Sequence, residues 1–143
     1  MTLGFPDSLG QGPARSDPDR TAMPILTLND EEALGQVVDQ HDTVVIDFWA
    51  PWCAPCKGFL PILEKASERH PDIVFCRVNT EEHKELAQAF DVESIPTLVV
   101  IRDRIMIASQ PGMLPDDVLE DLIGQVQGLD MDEVRRDMEN PEE

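Results

Sequence analysis

The sequence predicts an α/β protein, with a central mixed β-sheet of about five strands flanked by about four helices. Three observations carry that reading. Thr43 to Trp49 is an almost uninterrupted β-branched and aromatic run, the composition of a strand buried on both faces among parallel neighbours. Strand-like and helix-like segments then alternate as far as Phe90, the order that favours parallel pairing. Finally, two strand-like runs, 97–101 and 105–108, flank only Arg102, Asp103 and Arg104, too short a spacer for a crossover helix. Those two strands are expected to form an antiparallel hairpin, which makes the sheet mixed.

The elements follow in order. Residues 1–22 mix Gly, Pro, Ser, Asp and Arg without an apolar period, so a flexible tail is expected there, and Met23 opens the first patterned segment. Ile25 to Leu28 reads as a short strand. Asn29 followed by Glu32 offers a capping box for a helix whose apolar stripe is Leu34, Val37 and Val38. After the central strand, Leu60, Ile62, Leu63 and Ala66 recur at helical spacing up to His70, with Pro61 expected to remove one hydrogen bond and bend the helix. Ile73 to Val78 reads as a strand and Lys84 to Phe90 as a short helix. Pro115-Asp116-Asp117 opens a last core helix carrying Val118, Leu119, Leu122, Ile123 and Val126, with acids at the turn that the helix dipole favours. The domain so defined spans residues 23–128. Beyond it, residues 129–143 form an acidic extension in which Met131, Val134 and Met138 make a thin apolar stripe, enough for a short amphipathic helix but not for one stable alone. Whether that helix docks is open at this level.

The chain has 143 residues, the size of one domain with a core of its own. Its 11 Lys and Arg stand against 29 Asp and Glu, a formal net charge of −18, which argues against nucleic acid or an anionic membrane as partner. No stretch approaches the roughly 20 apolar residues of a membrane helix, and no basic region with a following apolar run marks the N-terminus as a signal peptide. Three cysteines, two of them in a Cys-x-x-Cys, suit a reducing compartment, so a cytoplasmic protein is expected.

The chemistry centres on Trp52-Cys53-Ala54-Pro55-Cys56. A dithiol does redox work when one sulfur is a thiolate and the second can reach it, and two intervening residues at a helix start satisfy both conditions. Cys53, where strand gives way to helix, meets unpaired backbone donors and the positive end of the dipole, while Cys56 lies one turn inside. Cys53 is therefore the expected nucleophile and Cys56 the resolving thiol, with Pro55 stiffening the turn between them. Half of a zinc site is the competing reading of such a pair, but no second pair of ligands is spaced to complete it. Asp47, a lone acid in an apolar strand, would lose several kcal/mol of solvation if charged and unpartnered, so its pKa is expected to rise into the range useful for proton transfer. It is the candidate general base for Cys56; the alternative is a structural pair with Lys57 or Arg77 at a strand edge. Cys76, inside an apolar strand, reads as an inert small hydrophobe. His41, His70 and His83 share no spacing and read as solvated. Ile95-Pro96 precedes a strand at a place where a cis peptide is affordable.

The segment from Val45 to Lys57, with Pro61 five residues after the second cysteine, Ile95-Pro96-Thr97 and Gly112 after the hairpin, closely resembles the thioredoxin family over residues 25–127. The resemblance implies the thioredoxin fold, a cis Pro96 facing the cysteines, and a substrate groove formed by Trp52, Ala54, Pro55, Ile95, Pro96 and the backbone near Gly112. It implies a protein-disulfide reductase that needs no bound cofactor or metal, takes disulfide-containing proteins as substrates, and is returned to the dithiol by an NADPH-dependent thioredoxin reductase. The chain is expected to act as a monomer. Four features depart from the family pattern. Ala54 replaces the more usual Gly, Arg77 stands where Lys is common, Asp103-Arg104 replaces an Asn-Gly-like turn, and both ends are extended. Arg77 keeps near Asp47 a positive charge that cannot be given up at neutral pH. Two alternatives to a general reductase are a redox protein dedicated to one client and an interaction module that binds a basic or chaperone-like partner through its acidic C-terminal tail.

Overall fold

The computed structural model describes residues 25–139, so the tail expected at 1–22 and the last four residues of the acidic extension lie outside the described residues. Five strands, β1 (Leu26–Thr27), β2 (Thr43–Trp49), β3 (Val74–Asn79), β4 (Thr97–Arg102) and β5 (Ile105–Pro111), form one sheet in the order β1-β3-β2-β4-β5. β3 runs parallel to both β1 and β2, whereas β2–β4 and β4–β5 are antiparallel. The mixed sheet is thus the expected one, with the apolar run 43–49 as its middle strand, buried along its length except for a half-buried Trp49.

Among the described residues five helices flank the sheet: α1 (Glu31–Gln40), α2 (Ala54–Arg69), α3 (Lys84–Ala89), α4 (Asp116–Gln127) and α5 (Met131–Glu139). Side chains alternate across a strand, so β2 feeds two cores. Val44, Ile46 and Phe48 pack with Leu34 of α1 and Leu86 of α3. Val45 packs on the opposite face with Phe59 and Leu63 of α2 and Leu119 and Ile123 of α4. Asp47 shares the parity of Val45, which turns it toward the face that α2 covers.

Several local expectations change in the folded chain. Asp30, not Asn29, caps α1: its Oδ1 accepts from the Ala33 amide at 2.7 Å. Both are good cap residues, and helix register decides between them. α2 runs through Pro61 to Arg69 as expected, the missing N–H of Pro61 leaving the Lys57 carbonyl without its helical donor. His70 is not a free solvated group, since its Nε2 lies 2.8 Å from Glu120 Oε1 and ties the end of α2 to α4. Arg69 reinforces that join through Asp116 and Glu120.

The amphipathic helix of the extension forms and docks. Met131 is buried at its start, while Met138 at its far end is 59 % exposed. Arg102, the last residue of β4, donates to the carbonyls of Val126, Gln127 and Leu129 at 2.8, 3.1 and 3.0 Å, satisfying the open end of α4 and fixing the turn into α5. Arg135 of α5 reaches Asp103 at 3.4 Å.

The hairpin between β4 and β5 turns on Asp103 and Arg104, at φ 53° and 69°, the two left-handed positions of a primed turn. An L-residue carries a steric cost there that glycine does not. Among the described residues Arg104 gains in return only an exposed ion pair with Asp39. Arg104→Gly is therefore expected to raise unfolding stability by about 1 kcal/mol, read as a higher urea midpoint at unchanged slope. A lower midpoint would contradict the strain assigned to this turn.

Candidate active site

The site gathers at the end of the middle strand. β2 ends at Trp49, the chain turns, and Cys53 occupies the N-cap of α2 in extended conformation, its Sγ accepting from the Cys56 amide at 3.2 Å. A sulfur fills the place usually taken by a Ser, Asp or Asn oxygen, and Pro55 sits in the first turn, where no donor is needed. Cys53 and Cys56 are joined as a disulfide with Cα atoms 5.3 Å apart. Cys53 is 4 % exposed and Cys56 fully buried, and the two differ in position, Cys53 at the N-cap and Cys56 one turn inside the helix. Ala54, Pro55 and Lys57 stand exposed around them.

Asp47 is 1 % exposed. Its neighbour across the β2–β3 register is Arg77, whose Nε donates to Oδ2 at 3.2 Å. Oδ1 is buried with no hydrogen-bond partner among the described residues. The Arg77 guanidinium in turn stacks 4.1 Å above the Trp49 ring. Burial raises the Asp47 carboxyl, the Arg77 charge and hydrogen bond oppose it, and the balance leaves its pKa pushed up to about 6. Asp47 is thus both the perturbed acid and half of an ion pair, with Arg77 as partner; Lys57 makes no ion pair with a described residue.

Ile95-Pro96 is a cis peptide. Ile95 packs against Ala50, Cys53 and Cys56. Thr97 Oγ1 donates to the Ser94 carbonyl at 2.6 Å, and the Gly112 amide donates to the Pro96 carbonyl at 2.8 Å. Gly112 makes that bond at φ 90°, a conformation that excludes most side chains and accounts for a glycine directly after β5. Trp52 is 68 % exposed beside Cys53. Cys76 is buried opposite Ile46, its thiol pushed up to about 12 by burial, and stays outside the site.

Two neighbours escaped the sequence reading. Met113 is 46 % exposed, and its Sδ lies 3.6 Å from where a Cβ at Gly58 would stand, an ordinary contact distance that places the thioether beside the first turns of α2. A large apolar residue directly after Gly112, outside any helical period, was the available signal. Trp49 was read as strand filling, and its role as the platform for Arg77 depends on a register invisible in the linear sequence. Among the described residues no group of three or more His, Cys, Asp or Glu is placed to hold a metal, and no helix is long and apolar enough to cross a membrane.

A Cys-x-x-Cys disulfide at the start of a helix that leaves the middle strand of a mixed sheet defines a thiol-disulfide oxidoreductase. The thioredoxin family model matches residues 24–125, and the chain belongs to that family. It is 53 % identical over 106 residues to a putative thioredoxin 2 of Streptomyces coelicolor, covering 74 % of this chain and 79 % of the relative. It is 35 % identical to the thioredoxin of Haemophilus influenzae, over 71 % of this chain and 95 % of the relative. Among solved structures, a thioredoxin from Halobacterium salinarum superposes with a TM-score of 0.71 at 30 % identity, covering 81 % of this chain and 98 % of that one. The oxidised mitochondrial thioredoxin 3 of Saccharomyces cerevisiae superposes at 0.67 with 32 % identity, over 71 % and 94 % of the two chains. The protein is a thioredoxin-type protein-disulfide reductase acting by dithiol/disulfide exchange.

The Asp47 carboxyl has a consequence for stability. Its folded pKa is raised from 3.8 to about 6, so below pH 4 both folded and unfolded chains hold the proton; between these values the unfolded chain releases it first. Stability linked to Asp47 is therefore full below about pH 4 and lost by about pH 6, by roughly 3 kcal/mol. In the oxidised protein, Asp47→Asn is expected to be more stable than wild type at pH 7, the difference vanishing below pH 4. A difference independent of pH across that window would show that Asp47 does not titrate as described.

Proposed function

We propose that the chain is a general cytoplasmic reductase of protein disulfides in which Cys53 attacks, Cys56 resolves and Asp47 moves the proton. One observation carries the assignment of roles: a buried acid with one unpaired oxygen lies on the sheet face covered by the helix that holds the buried Cys56. Such an acid costs stability once it is charged, and perturbed carboxyls of this kind cluster where they serve the neighbouring chemistry.

In the reduced protein the Cys53 thiolate, favoured by the amides and dipole at the start of α2, attacks one sulfur of a client disulfide. The client S–S bond breaks, one client thiolate leaves, and a Cys53–client disulfide forms. Cys56 gives its proton to Asp47, through Oδ1, since Oδ2 is engaged by Arg77. The Cys56 thiolate then attacks Cys53 Sγ and expels the second client thiolate. Two electrons have passed to the client and the Cys53–Cys56 disulfide remains. An NADPH-dependent thioredoxin reductase reverses that change, working on the protein as a monomer.

Arg77 acts as a positioning residue, holding Oδ2 and keeping Asp47 from rising further. Trp52, Ala54, Pro55 and Ile95 offer the client an apolar surface, with Pro96 and Gly112 setting the backbone edge along which an extended segment lies. Lys57 supports the site with a positive charge at the exposed first turn. The domain responsible spans residues 23–128, and the acidic extension from residue 129 lies outside the redox chemistry.

Insulin reduction with dithiothreitol tests the assignments. Cys53→Ser is expected to abolish the rate, and a wild-type rate in that variant would sink the proposal. Asp47→Asn is expected to slow resolution on the order of tenfold to a hundredfold. Arg77→Ala should move the pH midpoint of resolution upward from that of wild type, and Arg77→Lys should restore it; an unmoved midpoint would remove Arg77 from the mechanism.

A further inference from the structure

Ile95 has two neighbours of different kinds. On one side it packs against Cys53 and Cys56, and on the other it lines an open cleft of about 370 Å³. Trp52, Val92 and Ala87 give that cleft mostly apolar walls, and among the described residues Glu93 is the one charged residue lining it. Glu93 is exposed and makes no ion pair or hydrogen bond with a described residue. An exposed indole, apolar walls and an exposed carboxylate on the same lining suit a long side chain that is apolar along its stem and cationic at its tip.

We infer that this cleft is a specificity subsite taking a lysine or arginine side chain of the client, a few residues from the cysteine under attack. The inference rests on the proposed binding of clients across Trp52 and Ile95. The client's aliphatic stem lies against Val92 and Ile95, its cationic head meets Glu93, and the Trp52 ring covers the charge. The net charge of −18 draws basic segments toward the protein but cannot by itself place them. Local discrimination comes from Glu93.

The test uses the full chain and two series of fluorogenic disulfide peptides. They are identical except for a Lys or a Glu placed in turn at each position within about three residues of the cystine, the reach of an extended strand over the cleft. At low ionic strength kcat/KM for the best Lys peptide is expected to exceed that of its Glu counterpart by roughly twofold to fivefold, and the ratio should shrink with added salt. Glu93→Lys should bring the ratio to one or below. Glu133→Lys makes the same charge change on α5, which packs at the Arg102 end of β4, away from Pro96, and should keep the wild-type ratio. Equal rates for both series, or a ratio that falls alike in both variants, would overturn the subsite. Failure to reduce any peptide would instead count against the proposed function.

Discussion

The burial of the Asp47 carboxyl in the middle strand is the constraint on which the site depends. A carboxyl with 1 % exposure and a single charged hydrogen bond is held at an energetic disadvantage above its folded pKa. The surroundings limit that disadvantage without cancelling it. Arg77 arrives from the adjacent parallel strand in register, and Trp49, two residues along β2, gives its guanidinium a flat surface. The result is an acid poised near neutrality on the face where α2 delivers its cysteines.

The second constraint is the division of labour between the two ends of β4. At its start, cis Pro96 and Thr97 are braced by bonds to Gly112 and Ser94, so the loop facing the disulfide is held from both strands of the hairpin. At its end, Arg102 fills the carbonyls at the close of α4 and anchors α5. Chemistry gathers at one end of the strand and the added C-terminal helix at the other. That separation lets an extension join the fold without entering the redox site.

Much of this was legible in the sequence. The run 43–49 revealed the middle strand because both of its faces are buried, and the short spacer after residue 102 dictated an antiparallel hairpin. The cysteine spacing marked the disulfide, the oddity of Asp47 marked a buried perturbed acid and Ile95-Pro96 a place for a cis peptide, and the resemblance to thioredoxin added Gly112. What stayed hidden depends on contacts between distant segments. Lys57 and Arg77 were equal candidates for Asp47 until strand register chose Arg77. Docking of α5 turned on an arginine whose partners lie 24 to 27 residues away. His70 looked solvated because Glu120, its partner, is 50 residues distant. Asn29 and Asp30 are near-equal caps by chemistry, and only helix register separates them.

The asymmetry of the two sulfurs is the centre of the account, and trapping the intermediate tests it most directly. Reduced Cys56→Ser and reduced Cys53→Ser should each be mixed with an oxidised protein substrate at pH 7, quenched with acid and analysed by mass spectrometry. Cys56→Ser is expected to accumulate a client joined through Cys53, while Cys53→Ser, whose remaining thiol at position 56 is buried and on the proposed mechanism ionises through Asp47, should accumulate none. Equal trapping by the two variants, or trapping through Cys56 alone, would contradict it.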